Sequence, residues 1–130
     1  MRRGKSEVLS SLPRLRKNAM ANPAKRKGDK AELEVQGILR DLLGVPARRM
    51  LGAGRQDDVG DISGLPDTVV QVAAYKDIGR AIREKLPECE EQRARAGATF
   101  CALFCRRPGG RYVVVLSPEG WATLWREAMA

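Results

Sequence analysis

A chain of 130 residues with 43% hydrophobic side chains makes one domain, long enough to bury about two-thirds of its unfolded surface in a single core. It contains no histidine, which excludes Cys/His zinc fingers, H-E-x-x-H hydrolases and Ser/His/Asp or Cys/His triads, and leaves any catalysis to carboxylates, Lys, Arg, Tyr or a hard metal ion. The net charge of +8 lies wholly in residues 1–27, where nine Lys/Arg stand against Glu7 alone, while residues 28–130 hold fifteen charges of each sign.

Residues 1–27 read as a basic, flexible arm. Pro13 and Pro23 limit any helix there to a short piece near Glu7–Leu12. Such an arm suits a polyanion, above all the phosphates of nucleic acid, through counterion release, and equally suits a solvated tail that keeps the protein in solution. Met20 reads as an alternative internal start. A basic N-terminus without a following apolar region predicts no signal peptide, and no apolar run approaches the roughly 18 residues of a membrane span. Cys89, Cys101 and Cys105, with no C-x-x-C spacing, read as reduced core thiols of a cytoplasmic protein.

The folded part begins with a helix from Asp29 to Leu43, whose Val35, Ile38, Leu39, Leu42 and Leu43 form an apolar stripe closed by Gly44. Glu32 and Glu34 lie in its first turns, where acids favour the helix dipole. A short strand over Arg48–Leu51 leads into a loop with Gly52 and Gly54, too sparse a pattern to mark a phosphate loop. The stretch from Asp57 to Asp77 then predicts a hairpin: a short strand carrying Asp61, a turn through Gly64, Leu65 and Pro66, and an apolar strand from Thr68 to Tyr75. Apolar residues at both parities of that strand place it in the middle of a sheet covered on both faces. Asp61 at its margin needs a hydrogen bond or a cation.

Asp77 starts a second helix to Leu86, with Pro87 restarting or kinking it through Ala96, and Gly97 ends it. A strand over Ala98–Cys105 and a strand in RYVVVL flank a basic turn, RRPGGR. Ser117 and Pro118 cap a last helix on which Trp121, Leu124 and Trp125 share one face, as core or as a dimer surface, with base stacking the minority reading. The whole is an α/β fold: a central mixed sheet of about five strands flanked by helices, with a right-handed crossover in the middle.

In order, the segments K27-G28-x-x-A31-E32, A47-R48-R49, G60-D61-I62 and V69-V70-Q71-V72-A73 resemble the PD-(D/E)XK nuclease superfamily, and within it the small Holliday-junction-resolvase-like proteins of archaea and phages. The resemblance spans about residues 27–116. It implies a restriction-endonuclease-like fold over residues 28–130 and a Mg2+- or Mn2+-dependent endonuclease acting on branched or duplex DNA. By position, Asp61 would be the main metal ligand, Glu32 an assisting one, and Gln71 would stand where the family has a second acid. Ala73 stands where the family has its lysine, and Lys76 is the nearby substitute. A resolvase cutting two strands implies a homodimer, for which Trp121 and Trp125 mark the interface.

Three readings follow. The first is a nuclease with an altered site, using Asp61, Glu32, Gln71 and Lys76, with Asp57 or Asp58. The second is a catalytically degenerate relative that binds DNA through Lys25, Arg26, Lys27, Arg48, Arg49, Arg55, Arg106, Arg107 and Arg111. The third is a protein-interaction or assembly module. Asp61 has a purely local alternative, as a turn acid bonding backbone amides, and Gln71 has one as a hydrogen-bonded polar residue inside the sheet.

Overall fold

The computed structural model describes residues 23–51 and 60–130. The elements, in chain order, are α1 (Pro23–Leu43), β1 (Arg48–Arg49), β2 (Ile62–Ser63), β3 (Thr68–Ala73), α2 (Ile78–Ala96), β4 (Phe100–Arg107), β5 (Arg111–Val115) and α3 (Pro118–Met129). The strands form one sheet in the order β1-β2-β3-β4-β5. Only β3 and β4 run parallel, in register Thr68 to Phe100 through Ala73 to Cys105, and the other neighbours are antiparallel. This is the α/β fold with a five-stranded mixed sheet that the order of elements predicts. The crossover is α2, because parallel strands cannot be joined by a hairpin.

Side-chain alternation on β3 divides the core in two. Val70 and Val72 join Ala31, Val35 and Leu39 of α1, together with Ile62 and Phe104. On the other face, Ala73 packs with Ala81, Leu103 and Cys105, and Val69 with Cys89 and Cys101, beneath α2. The three cysteines are buried free thiols, as their composition suggests.

Several boundaries differ from the sequence expectation. Helix α1 starts at Pro23, so Lys25, Arg26 and Lys27 lie on its first turns and not in an irregular arm; proline at a first helical position costs no hydrogen bond. Leu42 and Leu43, assigned to its apolar stripe, stand exposed at its end. Helix α2 runs unbroken through Pro87, since Ala81 before it and Cys89 after it are both anchored in the core. Its ends match expectation: the Asp77 carboxylate accepts the Arg80 N–H at 3.2 Å, and Gly97 turns the chain at φ 68°. Strand β4 extends to Arg107, leaving Pro108–Gly110 as the connection to β5.

Helix α3 starts as read, with Ser117 Oγ accepting the Gly120 N–H at 3.0 Å and Pro118 in its first turn. It has no buried residue, and Trp121 and Trp125 are 58% and 51% exposed. The tryptophans are therefore not core of this chain. Gly120 and Thr123 line a small cavity of about 120 Å3 with Cys101 and Glu90, so the helix meets the sheet by its small and polar side and turns its apolar stripe outward. Among the described residues, no helix is long and apolar enough to cross a membrane.

Candidate functional site

Asp29, Glu32 and Gln36 stand at i, i+3 and i+7 on α1 and so share one side of the helix. Arg49 of β1 reaches across all three. Its Nη2 donates to Asp29 Oδ1 at 2.7 Å and to Glu32 Oε1 at 3.0 Å, its Nε donates to Glu32 Oε1 at 3.2 Å, and its backbone N–H donates to Gln36 Oε1 at 2.8 Å. The edge strand is thus fastened to α1 through one guanidinium. Arg48, at the opposite parity, is exposed.

Asp61 is held by backbone on three sides. Its N–H donates to Val70 O at 2.7 Å, its carbonyl accepts Met50 N–H at 2.8 Å, and its carboxylate Oδ2 accepts Val72 N–H at 2.9 Å. The approach is close enough to require glycine beside it: at Gly60, with φ +82°, an added Cβ would lie 2.6 Å from Val70 O. The carboxylate thus bonds an amide across the hairpin, eleven residues away, and not the neighbouring amides of its own turn.

Burial pushes the Glu32 carboxyl above its ordinary range, and the charge of Asp61 pushes it the same way, against the pull of Arg49. Asp29 falls the other way: burial raises it, but Lys25 and then Arg49 outweigh burial and hold it low. The charge of Asp61 is thus felt at Glu32.

Gln71 is not brought to them. It is 2% exposed, and its amide Nε2 donates to Gln92 Oε1 at 2.7 Å and Glu88 Oε1 at 3.3 Å, both on α2. It belongs with Val69 and Ala73 on the face turned away from α1. The β3 residues on the Glu32 side are Val70 and Val72, neither able to bind a metal or move a proton. Among the described residues, no three His, Cys, Asp or Glu side chains converge as metal ligands do. The donors expected for Mg2+ or Mn2+ thus do not form a set: Glu32 is shared with Arg49 and Gln71 is on the other face. Asp57, Asp58 and Arg55 lie outside the described residues.

A different group of predicted residues does come together. Where β3 ends, two adjoining depressions of about 460 and 240 Å3 share Lys27, Ala74, Tyr75 and Lys76 in their walls. The larger adds Arg80 and the smaller adds Lys30, Arg106 and Arg107. Asp77, already the cap of α2, is the one acid lining either among the described residues. Lys27, Lys30, Lys76 and Arg107 form no ion pair among the described residues. Arg106 is held in place by Glu34, with Nε to Oε1 at 2.8 Å, and the Tyr112 hydroxyl donates to the same oxygen at 2.6 Å. These two hydrogen bonds, Arg106 first, keep the Glu34 carboxyl below its ordinary range, and burial with Glu34 beside it pushes Tyr112 up.

Lys25 bonds Asp29 at 3.2 Å, and Lys25, Arg26 and Arg111 line neither depression. Lys30, Arg80, Asp29 and Gln36 carry no motif, and only the helical spacing of 29, 32 and 36 offered a signal for the last two. Compared with protein-family models, curated proteins and solved structures, the chain matches none.

Proposed function

We propose that this protein binds DNA on a restriction-endonuclease-like fold, gripping the phosphate backbone without hydrolysing it through Asp61. The observation that carries this reading is the cluster of Lys27, Lys30, Lys76, Arg80, Arg106 and Arg107 around one cleft with a single, already engaged carboxylate among the described residues that line it. Arg80 and Arg106 are paired with Glu84 and Glu34, but Lys27, Lys30, Lys76 and Arg107 are not paired among the described residues and repel one another, and a polyanion relieves that repulsion while releasing its own counterions.

A second reading, the metal-dependent nuclease, has one observation in its favour: the mutual repulsion of Glu32 and Asp61, which a divalent cation would offset. It requires Arg49 to give up Glu32 and a further donor beyond the described residues. The partner surface that fits either reading is a second copy across α3, where two half-exposed indoles, Leu124 and Met129 form an apolar patch.

The test is binding of labelled four-way junction and linear duplex across a salt series, with Mg2+, Mn2+ or chelator. Expected are binding that weakens steeply with salt, by a slope of about 0.9 per phosphate neutralised, and DNA that stays whole. Substituting Lys27, Lys76 and Arg107 by Ala reduces that slope. Metal-dependent cuts abolished by Asp61→Asn would replace this reading with the nuclease. Absence of binding at low salt would leave the assembly module, for which light scattering on the Trp125→Lys variant is the measurement.

A further inference from the structure

We infer that the cleft at the end of β3 accommodates one unpaired nucleotide of a DNA strand, its base on the apolar lining of the larger lobe and its flanking phosphates on the cationic smaller lobe. This rests on the DNA-binding reading and narrows it to a substrate class, single-stranded or locally unpaired DNA.

The two lobes differ in chemistry. The larger is lined by the end of β3 at Val72 and Ala73, by Ala74 just beyond it and by Ala24 and Gly28 of α1, apolar residues for which a phosphate has no use. Beside it stands Tyr75, whose hydroxyl donates to Glu84 Oε1 at 3.0 Å and whose ring lies 5.4 Å from the Arg80 guanidinium carbon. Those two contacts orient the ring and pair it with a planar cation, the kind of surface on which a base stacks whatever its identity. The smaller lobe presents Lys27, Lys30, Lys76, Arg106 and Arg107 with no acid among the described residues, and Arg106 is fixed there by Glu34. A volume of about 460 Å3 falls within the range of small-ligand sites, roughly 300–1,000 Å3.

Continuous duplex can satisfy only half of this. Its bases are stacked inside, so it offers the cleft phosphates and sugar and leaves the apolar lobe unfilled. An unpaired nucleotide brings both a base face and a phosphate to the same place.

The glycine in the wall supplies the probe. A Cβ added at Gly28 meets nothing within 4 Å and Gly28 lines the larger lobe, so Gly28→Trp starts a bulky side chain there without a backbone clash, and tryptophan favours a helix more than glycine does. Fluorescence anisotropy is measured with a labelled oligothymidylate and with a blunt duplex of equal length. The wild type is expected to favour the single strand by about tenfold or more, and Gly28→Trp to weaken the single strand by a similar factor, from the loss of one stacked base, and by more than it weakens the duplex. Should that variant melt early, Gly28→Leu makes the same comparison with a smaller filling. Equal affinity for the two DNAs, or a single-strand preference indifferent to filling the lobe, overturns the inference and leaves DNA binding standing. Failure to bind either DNA at low salt overturns both.

Discussion

The two faces of β3 divide its six residues between different purposes. Toward α1 the strand shows Val70 and Val72, and polar chemistry is confined to the margin, where Arg49 and the β3 backbone hold Asp29, Glu32 and Asp61. Toward α2 it buries Gln71 in the middle of an apolar surface, answered by Glu88 and Gln92 from the helix above. A polar residue in a strand has a meaning only together with its face, and one step along the chain changes that face.

The largest test of this contrast places an acid and a lysine two residues apart on β3 with Gln71→Glu and Ala73→Lys. Both new charges enter the side covered by α2, the acid against Glu88 and the lysine against Ala81 and Leu103. The double variant should lose about 4 kcal/mol or more of unfolding free energy in urea and gain no metal-dependent cleavage. A stable double variant that cuts DNA would break the face assignment.

Next in size is Arg49→Met, which leaves Asp29 and Glu32 without their shared guanidinium. A loss of about 2–3 kcal/mol is expected, below the cost for a fully buried pair. Adding Glu32→Gln should recover part of it, a coupling read by a double-mutant cycle in denaturation.

Asp61 sharpens the comparison at the sheet margin. Asp61→Ala orphans the Val72 N–H and should cost about 1–2 kcal/mol. Asp61→Asn keeps an acceptor oxygen and should cost less, so that the two variants separate in thermal melts.

The smallest effects lie in pH. The folded Glu34 carboxyl sits below its ordinary value of 4.5, so the stability it contributes is present above that value and is lost as pH falls through the depressed one. Glu34→Gln should cost about 1 kcal/mol at neutral pH and flatten the acid limb of the melting profile. Glu32 is raised above 4.5. Its ionisation costs stability above its raised value, and that cost disappears as pH falls through it, so Glu32→Gln should lower stability at pH 4 relative to pH 7, opposite in sign to Glu34→Gln.

Much of the fold was legible because its signals are local. Gly97 and Ser117 announce helix ends by backbone freedom and capping, and the β-branched run after Thr68 announces a central strand. Glu32 was read into the first turns of a helix from Asp29, whereas the helix starts at Pro23 and puts it near the middle. Gln71 was misplaced because a strand apolar at both parities gives no sign of which side meets which helix. The cleft was only partly legible: Lys27, Arg106 and Arg107 were singled out together for DNA and Lys76 for catalysis, and Lys30 and Arg80 for none.

By itself the sequence determined the elements, their order, the absence of imidazole chemistry and the excess of positive charge, all of which depend on residue type and short spacing. Only the tertiary structure decided that Gln71 turns from Glu32, that Arg49 closes on two acids, and that cations from α1, the end of β3, α2 and β4 border one cleft. Those outcomes depend on which face of the sheet each helix covers, a choice made by packing among residues far apart in the chain.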